Sequence, residues 1–368
     1  MTMIVFAAGG TGGHLYPAVA LAREFQRQDP ESRMLFVGTT RGIESRVLAH
    51  EGLELAMIDA QPVMGQGVLR AAGALLSLPR GLWQSLALLR ARRASFVLGV
   101  GGYTSPPVLL AARLLGLPRA ILEPNAYPGM ANKVLGPVAD LVFVAFGEAA
   151  GHFPAAKVRV TGVPVRRGFE EPSEERTADT MARRTLLVFG GSQGARAIND
   201  AMLAALPQWA AMRGQVAIVH QTGEADCARV REAYDAAGVQ AEVVPFLFDM
   251  AKALRSADLV VSRAGAMTLA ELTVCGKPAI LIPLPQAIHQ HQAHNAQALA
   301  DAGGAVVLAQ PELTGERLAH EVTALLRDPG RLQVMGGRSR RLGRPGAAET
   351  IVRECLALVE RKARGDRR

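Results

Sequence analysis

Residues 3–22 read MIVFAAGGTGGHLYPAVALA, and residues 185–202 read TLLVFGGSQGARAINDAM. Each is an apolar run of strand length that enters a glycine-rich turn and then opens a helix, so the second half of the chain restarts as the first began. Further runs rich in Val, Ile and Leu follow both. After the first come Met34–Val37, Leu55–Ile58, Phe96–Val100, Ala120–Leu122, Leu141–Val144 and Val158–Thr161. After the second come Val216–His220, Ala241–Val244, Leu259–Ser262, Ala279–Ile282 and Ala305–Leu308. Most run on without alternating polar residues, which is how strands buried on both faces of a parallel sheet read. Helical segments separate most of them, and this alternation predicts two doubly wound parallel-sheet α/β domains. The size agrees: 368 residues, 49% apolar and 20% charged, is a globular composition long enough for two cores.

The expected organisation is an N-terminal domain over 1–163, a polar linker over 164–184 that includes RRGFEEPSEERTADTMARR, a C-terminal domain over 185–345, and a terminal helix over 346–368. Ile351, Cys355, Leu358 and Val359 give that helix an apolar face that should pack it back towards the first domain. Cys227, Cys275 and Cys355 are far apart and form no CxxC, which excludes a disulfide framework and points to a reducing cytoplasm. The N-terminus has no charged region followed by a cleavable apolar core, so secretion is not expected. The most apolar stretch, Leu69–Leu89, is interrupted by Arg70, Pro79 and Arg80 and falls short of the roughly 18 apolar residues of a membrane span.

The formal net charge of +8 is unevenly spread: residues 1–164 contribute +5, residues 165–330 contribute −4 and residues 331–368 contribute +7. Between Asp59 and Glu123 no acidic residue occurs, whereas Arg70, Arg80, Arg90, Arg92, Arg93, Arg113 and Arg119 all do. Such a stretch predicts a surface that attracts anions, either nucleic acid or the phosphates of a lipid surface. An aromatic content of 5% and the lack of any nucleic-acid-binding module argue against nucleic acid. The competing account is a set of merely solvated arginines.

Three glycine-rich turns follow strands: AGGTGGH at 8–14, GVGGYTS at 99–105 and GGSQGA at 190–195. Glycine admits positive φ and close approach to backbone N–H groups, and the helix start behind it favours negative charge. Each turn is therefore a candidate phosphate cradle or only a tight connection. None fits G-x-G-x-x-G, since Leu15 and Thr104 stand where a third glycine is needed, which counts against a nicotinamide or flavin enzyme. His14 opens the helix behind the first turn, where the helix dipole disfavours imidazolium and leaves a neutral ring able to act as a general base. Glu123, Asn125 and Asn132 follow another buried strand, at the carboxyl edge where ligands of doubly wound sheets collect.

In the second half, SRAGAMTLAE (262–271) sets the backbone N–H groups of Ala266–Thr268 at a helix start suited to a diphosphate, with Glu271 able to accept from two ribose hydroxyls. In HQHQAHNA (289–296), Gln292 and Asn295 share a helical face, where amides suit sugar hydroxyls. The histidines His289, His291 and His294, with the more distant His220, raise the question of a metal. No carboxylate lies in that cluster, H-E-x-x-H and Asp-x-Asp are both missing, and no metal is expected.

Taken in order, GGTGGHLYPA, GVGGYTSPP, EPN followed by MANK, VTGVPVR, VFGGSQGAR, SRAGAMTLAE and HQAHNA resemble the MurG family, the peptidoglycan N-acetylglucosaminyltransferases that make lipid II. The resemblance runs from residue 3 to about residue 355. It implies a GT-B fold, two Rossmann-like domains facing across a cleft, with the donor UDP-N-acetylglucosamine held by the second domain and the lipid acceptor by the first. It implies no cofactor. The implied reaction is inverting transfer of N-acetylglucosamine to the 4-hydroxyl of the muramic acid in undecaprenyl-diphosphate-linked muramyl pentapeptide, lipid I. The implied setting is peripheral, on the cytoplasmic face of the plasma membrane.

Matched residue by residue, Arg166, Ser192, Gln193, Ala266, Met267, Thr268, Leu269, Ala270, Glu271, Gln292 and Asn295 would bind the UDP-sugar, with Leu247 of PFLFDM beside the uracil. Thr11, Gly12, Gly13 and Asn125 would line the reacting centre and meet the donor from the first half, while His14, Tyr103, Thr104 and Asn132 would face the acceptor. His14 is the expected base, and Glu123 is the second candidate, as base or as the group that orients it. Leu122 and Pro124 stand where the family often has His and Gln, which leaves the acceptor contacts open. The arginine stretch then reads as a patch for an anionic membrane surface, made of Leu69, Arg70, Leu75, Arg80, Trp83 and Arg90, against the alternative that its leucines are core. The alternative function is another GT-B enzyme acting on UDP-sugars, either a glycolipid glycosyltransferase or a UDP-N-acetylglucosamine 2-epimerase.

Overall fold

The computed structural model describes residues 2–9, 12–39, 44–60, 67–171, 183–191, 193–285 and 290–365, with the backbone alone described at 12, 13, 44, 46 and 67–77. The chain divides into two compact units, Met1–Val165 with Gly346–Arg368, and Arg166–Pro345. In the first, β1 (Met3–Ala7), β2 (Arg33–Gly38), β3 (Glu54–Met57), β4 (Phe96–Gly99), β5 (Arg119–Glu123), β6 (Leu141–Val144) and β7 (Val158–Val160) form a sheet in the order β3-β2-β1-β4-β5-β6-β7. In the second, β8 (Arg184–Phe189), β9 (Val216–Gln221), β10 (Ala241–Val244), β11 (Leu259–Ser262), β12 (Ala279–Leu281) and β13 (Ala305–Val307) form a sheet in the order β10-β9-β8-β11-β12-β13. Every pairing is parallel. The order reverses between β1 and β4 and again between β8 and β11, so each sheet has the switch point at whose carboxyl edge ligands bind.

All the apolar runs read from the sequence form these strands; the central ones bury both faces, whereas the edge strands β3, β7 and β10 are partly exposed. Along β1, Ile4 and Phe6 enter one core with Leu15, Leu21 and Phe25 of the helix Gly12–Gln28, while Val5 enters another with Val97, Val108 and Leu109. That is the period of two expected of a strand. The helix Ala347–Ala363 adds Ile351, Val352, Cys355 and Leu358 to the first of these cores, and Lys362 Nζ closes on Asp140 at 2.9 Å. Each such side chain removed from water contributes about 1.5–3 kcal/mol. The chain therefore leaves the first unit at Val165 and returns at Gly346 to complete it.

Of the polar segment after Val165, Arg166–Glu171 belongs to the second unit, where Phe169 is buried and the Arg255 guanidinium donates to Gly168 O. Residues 172–182 lie outside the described residues. The helix Gly67–Ala91 runs through Pro79 without a break. No helix among the described residues is long and apolar enough to cross a membrane.

Candidate functional site

In the first unit the turns after β1 and β4 are knitted together. Gly9 N–H donates to Thr104 Oγ1 at 2.9 Å, and Ser105 Oγ donates to Gly101 O at 2.7 Å while accepting from Gly101 N–H at 3.2 Å. Gly101 and Gly102 have φ of 100° and 74°, and a Cβ on Gly102 would stand 2.1 Å from Gly9 O. Only glycine lets the two turns touch in this way. A Cβ on Gly101 would stand 3.1 Å from His14 Nε2, so the half-buried His14 ring lies against the second turn. Thr104 is buried with its hydroxyl held by Gly9, and so shapes the turn from beneath. Gly12 and Gly13 open the helix that carries His14, and Thr11 lies outside the described residues.

Glu123 ends β5 with 1% of its surface exposed. Its Oε1 accepts from Asn125 N at 2.9 Å and Asn125 Nδ2 at 3.0 Å, and its Oε2 accepts from Gly129 N at 3.0 Å and Asn132 Nδ2 at 2.9 Å. Burial pushes its pKa up, and these four donors pull against the shift. Both oxygens are thus committed to folding the 124–132 loop. Asn132 Nδ2 also donates to Leu122 O, and its buried Oδ1 has no hydrogen-bond partner among the described residues. A Cβ on Gly101 would be 3.6 Å from Asn132 Nδ2, which places the amide and the His14 ring beside the same turn. Tyr103 OH lies 3.2 Å from Thr39 Oγ1. The sequence reading missed Thr39, although its place just beyond β2, at the same sheet edge as His14 and Glu123, was the available signal.

In the second unit, the helix Ala266–Cys275 starts at Gly265 with no side chain capping it. Leu269 N–H already donates to Gly265 O, so the orphan donors of this end are those of Ala266, Met267 and Thr268. Leu269 and Ala270 bury their side chains and the Leu269 N–H is already bonded, so the donors open to a ligand lie before them. Glu271 lies one turn further on, where burial pushes its pKa up to about 7 against the pull of the Arg166 guanidinium. Arg166 itself lies over the Phe169 ring at 5.5 Å.

Asn295 is fully buried, with Nδ2 donating to Ala264 O at 3.3 Å, and Gln292 Oε1 accepts from Leu284 N–H at 2.9 Å. The two amides therefore brace the turns after β11 and β12. Leu247 is half-buried between exposed Phe246 and Phe248, whose rings meet edge-on at 5.1 Å. Gln193 is exposed, and Ser192 and His289 lie outside the described residues. His291 and His294 sit on the helix His291–Asp301, whereas His220 lies in the core near the end of β9. Among the described residues no group of three His, Cys, Asp or Glu is placed to hold a metal ion.

The arginine stretch meets acids that lie elsewhere in sequence. Arg80 pairs with Asp59 at 2.8 Å and Arg92 with Glu54 at 2.7 Å, while Arg119 donates to Val138 O and Leu117 O and lies 3.6 Å from Asp140. Arg90, Arg93 and Arg113 have no carboxylate partner among the described residues. Trp83 is 69% exposed, whereas Leu82, Leu86 and Leu89 pack into the core. The side chains of Leu69, Arg70 and Leu75 lie outside the described residues.

Two doubly wound parallel sheets, each with a glycine turn and a switch-point edge, give the chain the GT-B fold. The chain belongs to glycosyltransferase family 28: residues 4–144 match the family's N-terminal domain and residues 185–351 its C-terminal domain. It is 47% identical over 358 residues, 97% of this chain and 98% of the relative, to the UDP-N-acetylglucosamine--N-acetylmuramyl-(pentapeptide) pyrophosphoryl-undecaprenol N-acetylglucosamine transferase of Syntrophus aciditrophicus. It is 50% identical to the protein of the same name from Syntrophotalea carbinolica, over 96% of this chain and 98% of that one. Among solved structures it is similar to Acinetobacter baumannii MurG, with a TM-score of 0.80 at 31% identity, covering 97% of this chain and all of that one.

Proposed function

We propose that the protein transfers N-acetylglucosamine from UDP-N-acetylglucosamine to the 4-hydroxyl of the muramic acid in lipid I, with inversion, making lipid II. The observation that carries this is near-full-length identity of 47% and 50% to two transferases whose names state that donor and acceptor. The acceptor oxygen attacks the anomeric carbon from the face opposite UDP. A C–O bond to the acceptor forms as the bond to the diphosphate breaks, and His14 takes the hydroxyl proton. Negative charge growing on the diphosphate is met by the N–H groups of Ala266, Met267 and Thr268 and by the Gly190–Ala195 turn, so no metal is needed. Glu271 accepts from the ribose hydroxyls, Arg166 and Gln193 flank the donor, and Leu247 borders the uracil. Thr11, Gly12, Gly13 and Asn125 line the reacting centre. Tyr103 and Asn132 face the acceptor, and Glu123 positions Asn132 through its loop. Incubation with UDP-N-acetylglucosamine and a short-chain lipid I analogue should release UDP and form disaccharide in equal amounts. Epimerised UDP-sugar, or UDP release that ignores the acceptor, would overturn the assignment.

Glu271 makes donor binding sensitive to pH. A carboxylate that accepts from two hydroxyls must be ionised, and with its pKa raised to about 7 it is mostly protonated below neutrality. The bound form then expels a proton, so affinity falls as pH drops. Between about pH 8 and pH 6 the ionised fraction falls about tenfold, and calorimetric affinity for UDP-N-acetylglucosamine should weaken by a similar factor. The intact UDP-sugar has no phosphate that titrates in this range, and Glu271→Gln should bind weakly with no such slope. A flat profile for the parent would remove Glu271 from the ribose.

The acceptor's polyprenyl chain holds its sugar at a bilayer, and the enzyme works there as a peripheral protein on the cytoplasmic face. Exposed Trp83 with Arg80 and Arg90, and Leu110, Arg113 and Leu114 of the helix Ser105–Leu114, supply apolar and basic groups for anionic headgroups. At about 1 kcal/mol per cation near such a surface, replacing Arg80, Trp83 and Arg90 together by Ala should cut sedimentation with anionic liposomes by about tenfold or more. Unchanged, salt-insensitive sedimentation would discard the patch.

A further inference from the structure

Behind the Gly190–Ala195 turn lies a buried polar network that the transfer mechanism leaves unused. His220 is 0% exposed, with Nε2 3.1 Å from Asn199 Oδ1 and Nδ1 3.2 Å from Tyr234 OH. Asn199 sits on the helix Arg196–Ala204, which the turn opens. Its Nδ2 donates to Thr222 O and to Asp226 Oδ2, both at 2.9 Å, so both amide hydrogens are committed. Its oxygen must therefore accept, which puts the His220 hydrogen on Nε2 and leaves Nδ1 to accept from the Tyr234 hydroxyl. Burial holds the ring neutral, with its pKa pushed down to about 4. Asp226 is anchored in turn by Arg229, whose Nε donates at 3.1 Å and which also reaches Asp200 at 2.7 Å.

The far end of this relay is the surface on which the glycine turn rests. Gly194 has a φ of 75°, and a Cβ there would stand 1.8 Å from Thr222 O. A Cβ on Gly223 would stand 2.1 Å from Gln193 O. The backbones of 193–194 and 222–223 thus lie back to back, and Asn199 fixes Thr222 from the helix that begins at the turn's own end.

We propose that His220, acting through Asn199, is a positioning residue for the transfer: it locks the Thr222–Gly223 backbone against the Gly190–Ala195 turn and so sets where that turn's N–H groups meet the donor diphosphate. This rests on the reading that the turn cradles the donor. An apolar side chain of similar volume would keep the core filled but would free Asn199 to rotate, and Thr222 O would lose its fixed donor. Glutamine can return an N–H donor to Asn199. Tyr234 lies at the other side of the ring, where loss of its hydroxyl disturbs the core but not the bond to Asn199.

The full chain with His220→Leu, His220→Gln or Tyr234→Phe tests this by donor KM, kcat and thermal melting. His220→Leu should raise the KM for UDP-N-acetylglucosamine about tenfold or more with kcat within about threefold of the parent, and His220→Gln should restore KM to within about threefold. Tyr234→Phe should melt earlier yet keep the parental KM. A purely structural role would lower melting in all three and separate none of them by KM. If His220→Leu does not fold, Asn199→Ala carries the same expectation from the other side of the bond. Parental KM in His220→Leu, or an equal rise in Tyr234→Phe, would overturn the inference. Gly194→Ala separates the two levels: if it binds donor like the parent, the donor does not sit on this turn, whereas if it fails and His220→Leu does not, only the positioning role falls.

Discussion

His14→Ala is expected to lower kcat by about 10²- to 10⁴-fold while leaving UDP-N-acetylglucosamine affinity within about threefold of the parent. The split follows from where the ring stands. His14 lies in the first unit, at the start of the helix Gly12–Gln28 and against the Gly101–Gly102 turn, while the residues assigned to uracil, ribose and diphosphate are on the second. In the proposed mechanism the imidazole accepts a proton only as the new bond forms and takes no part in donor binding. Glu123 cannot readily replace it, because both of its oxygens already accept from the 124–132 loop. Steady-state turnover on a lipid I analogue, with calorimetry for the donor, measures both quantities. Turnover within a few-fold of the parent would remove His14 from the role of base.

Gly194→Ala should weaken donor binding by about tenfold or more and destabilise the second unit. A left-handed backbone alone costs a non-glycine residue about 1–2 kcal/mol. Here the added methyl would also meet Thr222 O at 1.8 Å and Gly223 N at 2.8 Å, backbone atoms that no side-chain rotation can clear. The turn must shift, and its N–H groups shift with it. Gly214→Ala is the internal comparison, since Gly214 has a φ of 79° and nothing within 4 Å. It should show the conformational cost in thermal melting and parental donor affinity. If the two variants bind donor equally well, the Gly190–Ala195 turn is not part of the site.

Much of the fold was legible because both units are built on parallel strands, which turn burial into uninterrupted apolar runs that no surface element imitates. The order of the strands, and which core of the first unit Ala347–Ala363 completes, needed the structure, since packing partners far apart in sequence leave no local mark. The glycine turns and the start of the helix at Ala266 were readable because backbone conformation constrains residue type there. The closing of Glu123 by donors two, six and nine residues on was not, because an irregular loop has no period. Charge pairing left no local mark either. Of the seven arginines that have no acidic neighbour in sequence, Arg80, Arg92 and Arg119 meet Asp59, Glu54 and Asp140 in space, so the field of the stretch is weaker than its count. His220 shares only its residue type with His291 and His294: it lies in the core, joined to Tyr234 and Asn199, whereas they sit on the helix His291–Asp301.

The division of labour between the two units is tested most directly by a crystal structure of the protein with UDP-N-acetylglucosamine. The ribose hydroxyls are expected on Glu271, the diphosphate at the N–H groups of Ala266 to Thr268, the uracil beside Leu247, and the His14 ring turned to the sugar face opposite the diphosphate. A nucleotide held wholly by first-unit residues, or a His14 ring directed away from the sugar, would contradict this arrangement.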